Sequence, residues 1–396
     1  MSAAGDVLQP LTMGVEWEFV LPLRIQRQGE DIDVLRRDNL GVIIIPYDYH
    51  GDLLNYCLRS IVKELRRKGF DMNDVDEFNT AAFPEGPTLP SPHANNSVDM
   101  LFHRWGLEEE TVSLPVHIQQ TLRRERYILT RGAELVTPAF SATPVNFMEI
   151  ERMVSSVLSF LKPFNDDSCG LHVHVGSGRS GLPDDAVRKI ACLLWAVDPI
   201  LYRLHTEQRH DVNFAQRNRY RSNLARGMTA AVANTAIDVT LDFVNFDRAT
   251  DPCGIIEGVR ELIKCKNPGA VARLMSTGSR NAAYNFGYYL MYYNVKPTIE
   301  FRQAGGTLNG KWMRLWAQIC VRICEYAARE MADDDLYEIA GKCEEVEAWD
   351  QSGLEENQRK IDVYTSTFLS DIGLAEAAQY ILTTTPTQRT HGNDLV

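Results

Sequence analysis

The chain lacks any apolar run near the ~20 residues that a bilayer-spanning helix needs. Its most apolar stretch of interest, Ile190 to Val197, is cut by Asp198 and Pro199. The N-terminal Met1-Ser-Ala-Ala-Gly-Asp has neither the basic nor the apolar part of a secretory leader, so a soluble cytoplasmic protein is expected. The 8 cysteines form no Cys-x-x-Cys and no zinc-type spacing, which argues against a disulfide scaffold or a zinc module. Cys320 and Cys324, at i,i+4 on an apolar helix, read as buried thiols. Low-complexity tracts and internal repeats are missing too. Basic charge is in deficit, with a net −12, so most of the surface repels nucleic acid.

That charge is uneven. From Glu325 to Glu376 there are fifteen acidic against four basic residues, eleven of the twelve net negative charges. Elsewhere, Arg203 to Arg226 carries six arginines, which fit either a solvated helix face or a site for an anionic small molecule. Strands are predicted over Met13 to Leu21, Arg126 to Val136, Gly170 to Gly176, Ala282 to Val295 and Pro297 to Gln303. Helices are predicted over Asp52 to Gly69, Val145 to Leu161, Pro183 to Leu204 and Trp312 to Met331, with shorter acidic helices after the last. The mixed order, without a regular βαβ rhythm, points to an α+β fold: one sheet backed by helices. Residues 1–331 are read as a catalytic domain with a loop insertion at 70–97. An acidic helical extension at 332–383 and a loose tail at 384–396 follow.

What is present in abundance is a spacing. Glu16-x-Glu18, His172-x-His174 and Glu300-x-Arg302 each place polar groups at i,i+2 within an apolar strand pattern. Such side chains leave one face of a strand about 6.5–7 Å apart. Glu134, in Gly-Ala-Glu-Leu-Val-Thr-Pro, adds an acid on a fourth strand. Taken singly, each pair has a plainer reading: an exposed edge strand, a surface histidine pair, a cross-strand ion pair. Together they point carboxylates and imidazoles off one sheet face. Burying unpaired carboxylates is costly, and Mg²⁺ or Mn²⁺ would offset that cost with ligands of this type.

Five strings carry a resemblance: Gly14-Val-Glu-Trp-Glu-Phe, Ala133-Glu-Leu-Val-Thr-Pro138, Ser168-Cys-Gly-Leu-His-Val-His-Val-Gly176, Thr298-Ile-Glu-Phe-Arg-Gln303 and Gly306-Thr-Leu308. In order and content they resemble the amidoligase branch of the glutamine synthetase and glutamate–cysteine ligase superfamily, in the form common in fungi. The resemblance implies an antiparallel sheet curved around an ATP site, with two or three divalent ions between phosphates and carboxylates. It implies that Glu16, His172 and Glu300 hold the ion at the γ-phosphate, and that Glu18 and Glu134 hold one on the acceptor side. His174 would contact the nucleotide phosphates, and Arg302 would neutralise the γ-phosphate as it transfers, making Glu300 and Arg302 the catalytic pair. Asn285 matches a position near nucleotide or substrate; Arg219 and Arg280 are candidates for a substrate carboxylate. The implied activity joins a small-molecule or peptide acid to an amine.

Two departures stand out. Ala304 occupies a position where the family commonly has His, and in Trp105 to Ser113 the residues Glu110 and Val112 replace the usual Asp and Ser. Glu110 is retained as a metal ligand with a longer arm. The departures motivate an alternative, a catalytically degenerate ligase fold that binds nucleotide and metal or acts as a scaffold. A third reading takes Gly305-Gly-Thr-Leu-Asn-Gly-Lys311 as a P-loop, although Trp312 stands where Ser or Thr should ligate Mg²⁺.

Overall fold

The computed structural model describes residues 10–75, 102–111, 129–210, 213–235, 253–278, 281–290 and 297–391. Alternation makes Thr12–Ile25 (β1) a 14-residue strand whose apolar set Met13, Val15, Trp17 and Phe19 is buried. Around it lie Ile43–Ile45 (β2), Gly106–Glu110 (β3), Leu129–Val136 (β4), Phe140–Ser141 (β5), Gly170–Gly176 (β6), Tyr284–Asn285 (β7) and Ile299–Gly305 (β8). The main path is β3-β4-β1-β6-β8-β7, antiparallel at every step, while β2 and β5 flank β1. The fold is thus α+β, with an open antiparallel sheet and many helices.

Four helices enclose the apolar face of the sheet. Leu53–Arg67 (α1) starts where Asp52 accepts from the Leu54 and Asn55 N–H groups, and stops before Gly69 at φ +87°. Its stripe of Leu54, Cys57, Leu58, Ile61 and Leu65 is buried against the β2 and β3 edges. Pro144–Leu158 (α2) and Asp184–Leu201 (α3) pack on Gly310–Arg329 (α4), which lies against β1 and β6. Trp312, Leu315, Trp316, Ile319 and Ile323 are buried along α4, as its 3.6-residue period requires. Cys320 and Cys324 are buried free thiols on the same helix. No helix among the described residues is long and apolar enough to cross a membrane.

Several expectations change. Among the described residues, the strand expected over Ala282 to Val295 is only Tyr284–Asn285, because the Asn285 side chain accepts from the Gly287 N–H at 2.8 Å and turns the chain. A short 3₁₀ turn, Gly287–Tyr289, follows, and 291–296 lie outside the described residues. Of the acidic helices, Asp333–Ser352 (α5) is not shorter than Gly310–Arg329, at 20 residues each, while Glu355–Asp371 (α6) is, at 17. Nor is all of the tail loose, since Pro386–His391 (α7) is helical and Arg389 is 3% exposed. Arg389 donates to the Leu204 and Thr384 carbonyls, and its own carbonyl accepts from Thr307 Oγ1 at 2.9 Å. A composition rich in Thr and Pro hides that single buried guanidinium. Of the expected 70–97 insertion, 76–97 lies outside the described residues.

Four of the six arginines in the arginine-rich stretch are committed to partners within the protein. Arg203 pairs with Asp350, Arg217 with Asp198, and Arg219 with Glu347. These contacts tie the stretch to α3 and α5. Arg209, also buried, donates to the carbonyls of Asp167, Arg302, Gln303 and Ala304. The P-loop reading fails. Asn309 caps α4 through the Trp312 N–H at 3.1 Å, and Lys311 is an exposed residue 3.5 Å from Glu376.

Candidate metal centre

The expected pairs meet across strands. Glu16 on β1 faces His172 on β6, Glu18 faces Glu134 on β4, and His174 faces Glu300 on β8. Glu108 on β3 extends the row beyond Glu134, and Asn285 on β7 extends it beyond Glu300. Side chains directly opposite in an antiparallel pair share a face about 5 Å apart. The register therefore converts four local patterns into one cluster.

Two groups of potential ligand atoms result, each with its members within 4.8 Å of one another: Glu16, His174 and Glu300; and Glu18, Glu110 and Glu134. Both histidines approach the first pair of carboxylates: His174 belongs to that group, and His172 Nδ1 lies 3.9 Å from Glu300 Oε1. Thr298 Oγ1, 3.1 Å from His174 Nδ1, fixes the ring so that Nε2 lies 2.9 Å from Glu16 Oε1. His172 stands between the groups, with Nδ1 3.4 Å from Glu16 Oε2 and Nε2 3.5 Å from Glu18 Oε1. On β8, Glu300 Oε1 accepts from Arg302 Nη1, and Glu300 Oε2 accepts from Asn285 Nδ2 at 2.8 Å. Asn285 is thus a partner of a candidate ligand. Tyr288 sets its ring edge-on to His174, with centroids 5.7 Å apart.

The acids differ in their electrostatics. Burial, then Glu16, Glu108, Glu18 and Glu110, hold the Glu134 carboxyl well above its usual range. Burial and Glu18 raise Glu110. For Glu300, burial also pushes upward, but His174 and Arg302 outweigh it and leave the group below its usual value. The donor set is oxygen-rich with one imidazole nitrogen, which suits a hard divalent ion such as Mg²⁺ or Mn²⁺. Cys169 does not join it: burial pushes its thiol up to about 12, leaving a neutral packing group.

Three further points concern the expected residues. Arg219 is 1% exposed and committed to Glu347 at 2.9 Å and to the Cys253 carbonyl, so it is not available to a substrate carboxylate. Arg280 and Val112 lie outside the described residues. Glu108 was missed, although Glu108-x-Glu110 is another spacing-two pair and gave the same signal. Ala304 has a different explanation. A register shift opposite His172 interrupts alternation on β8, so Ala304 pairs with Leu171 and joins the apolar core at 0% exposure. In this chain position 304 does not face the carboxylates.

Gly170 marks the tightest approach. Its N–H donates to Glu18 Oε2 at 2.6 Å, and an added Cβ would collide with the His172 ring and sit 3.2 Å from Glu18 Oε1. Gly170→Ala is expected to displace both side chains and weaken Mn²⁺ binding roughly tenfold or more. A calorimetric titration of the folded variant that matches wild type would refute that steric account.

The fold and the site together define a class, an α+β chain with a buried carboxylate–histidine centre on one sheet face. Residues 59–247, just under half of the chain, match the family model described as putative amidoligase enzyme, and over that stretch the chain is similar to that family. The matched stretch includes Glu110, Glu134, His172 and His174. Glu16, Glu18, Glu300 and Arg302 lie outside it and are brought beside it by the fold. No curated protein matches the chain in sequence.

Proposed function

We propose that this chain is an ATP- and Mg²⁺-dependent carboxylate–amine ligase, with Mn²⁺ able to replace Mg²⁺, that forms an amide or isopeptide bond. The observation that carries the reading is the convergence of Glu16, Glu18, Glu110, Glu134, His174 and Glu300 into two ligand groups on one sheet face. The match of residues 59–247 to a family described as putative amidoligase enzyme supports the reaction class. In this reading the sheet is the wall of a ligase site of the glutamine synthetase type.

An acid and an amine at neutral pH form a salt rather than an amide, so the acid needs a leaving group. Its carboxylate oxygen attacks the γ-phosphorus of ATP in line, ADP departs, and an acyl phosphate results. The amine nitrogen then adds to the acyl carbon, its proton passes to a carboxylate or phosphate oxygen, and collapse of the tetrahedral adduct expels phosphate. Divalent ions held by the two ligand groups would neutralise phosphate charge, which is most of what such a transfer requires. Arg302, already beside Glu300, supplies a fixed positive charge at the same edge. His172, between the groups, keeps the carboxylates of Glu16 and Glu18 apart and oriented.

The reading of a degenerate fold loses two grounds, since Ala304 faces the core and Glu110 reaches Glu18 and Glu134. Mg²⁺-dependent ATP binding by calorimetry, on wild type and Glu16→Ala, tests the proposal. Binding that requires Mg²⁺ and falls at least tenfold in the variant is expected; folded wild type that binds no ATP with Mg²⁺ overturns it. Release of ADP that depends on both an acid and an amine would then separate a ligase from a scaffold.

A further inference from the structure

The β8 half of the site is braced from behind by residues 214–218. The Phe214 carbonyl accepts from Arg302 Nε at 3.2 Å. Gln216 pairs through its backbone with Asn281 and Ala283, and the Ala283 carbonyl in turn accepts from the Arg302 N–H. Arg217 is locked to the buried Asp198 on α3 by contacts of 2.6 and 3.0 Å. Asn218, 0% exposed, does something a strand would normally do. Its Oδ1 accepts from the Tyr284 N–H at 2.9 Å, while Nδ2 donates to the Tyr284 carbonyl at 3.0 Å and the Met275 carbonyl at 2.8 Å. One side-chain amide thereby satisfies the outer edge of the two-residue strand β7.

The next residue along β7 is Asn285, whose Nδ2 holds Glu300 Oε2 and leaves Oε1 toward His174 and Arg302. We propose that Asn218 is a positioning residue for the Glu300 carboxylate, acting through Tyr284 and Asn285 on divalent-ion affinity. The inference rests on the divalent-ion reading of the site. A strand two residues long has too few ladder bonds to fix its own register, so its side chains are only as well aimed as its outer edge is held. Asn218 supplies that edge, and the Arg217–Asp198 pair fixes Asn218 to the helical layer.

The test is a double-mutant cycle read by Mn²⁺ titration, with free Mn²⁺ followed by electron paramagnetic resonance. Glu110→Ala identifies which binding class belongs to the Glu18 group. Asn218→Asp keeps the acceptor for Tyr284 but turns the donor into an oxygen facing two carbonyls. It should weaken the Glu300 class about tenfold, the loss typical of a group that orients a ligand, and leave the other class within about threefold. Asn285→Ala should do the same, and the double variant should be no weaker than either single one, because both act through one hydrogen bond. If Asn218→Asp does not fold, Asn218→Ser takes its place in the cycle. Additive losses, equal weakening of both classes, or an unchanged Asn218 variant overturns the positioning role alone. A wild-type chain that takes up no Mn²⁺ overturns the functional reading together with it.

Discussion

A Glu300→Ala chain is expected to bind ATP with Mg²⁺ at least a hundredfold more weakly than wild type. Glu300 is 2% exposed where β6, β7 and β8 meet, and its two oxygens serve His174, Arg302 and Asn285 at once. Its removal deletes an ion ligand and frees the Arg302 guanidinium from its carboxylate. A hundredfold loss corresponds to about 2.7 kcal/mol, well within what one first ligand of a hard cation supplies. The same change breaks a buried charge pair, which typically costs about 3–5 kcal/mol of stability. Glu300→Gln, close to isosteric, keeps the shape while discarding the charge and serves as the control for folding. Calorimetry on whichever variant melts cooperatively decides the matter. Affinity within threefold of wild type in a folded variant removes Glu300 from the ion site.

The second large effect is a pH dependence that divalent ions reverse. Glu134 and Glu110 both have their carboxyls raised, chiefly by burial and then by their acidic neighbours. A raised folded-state value means stability that is fully present below the ordinary carboxylate range and lost as pH rises through the raised value. Glu300 has the opposite sign, so its contribution is retained above the ordinary range and lost only in stronger acid. Between about pH 5 and pH 8 the raised pair therefore favours the acid end, while His205 and His210, whose values burial lowers, favour the alkaline end. The pair's share is read as the difference between ion-free wild type and Glu134→Gln. Divalent ions compete with those protons, so their stabilisation should grow with pH and approach about 2.7 kcal/mol at a hundredfold excess over Kd. Thermal melts with EDTA or Mn²⁺ at the two pH values make the comparison. Equal ion stabilisation at both, or a Glu134→Gln chain with the same ion-free pH trend as wild type, contradicts this assignment.

Much of the site was legible because a strand has a period of two. Glu16/Glu18, His172/His174 and Glu300/Arg302 declared a shared face within three residues of sequence, and the antiparallel register then brought them together. Register itself was not legible. That His172 and His174 both approach Glu300 depends on a pairing between strands more than a hundred residues apart, and on a shift within it. Arg219 was misread for a similar reason, since its partner Glu347 lies on a helix that only the fold brings near. The helices α1 and α4 were clear from their stripes and caps, which are local. β7 was not, because it ends on a side-chain turn at Asn285 and takes its outer hydrogen bonds from Asn218. No pattern in the aromatic-rich stretch signals either.

The central place of β1 in the sheet has a consequence for how the chain is made. Glu16 and Glu300 are ~280 positions apart in sequence. At the ribosome's rate of about 5–20 residues per second, the second emerges roughly 15–60 s after the first. The partners β4 and β6 of the central strand arrive only with residues 129–136 and 170–176, so β1 up to Pro22, ahead of the three residues that pair with β2, spends the interval with both hydrogen-bonding edges bare. Bare edges invite pairing with neighbouring nascent chains, and inward-pointing charge is a recognised deterrent. Glu16 and Glu18 lie on this strand throughout that wait. Before the sheet closes, the two carboxylates repel other strands; after it closes, they are drawn into the site.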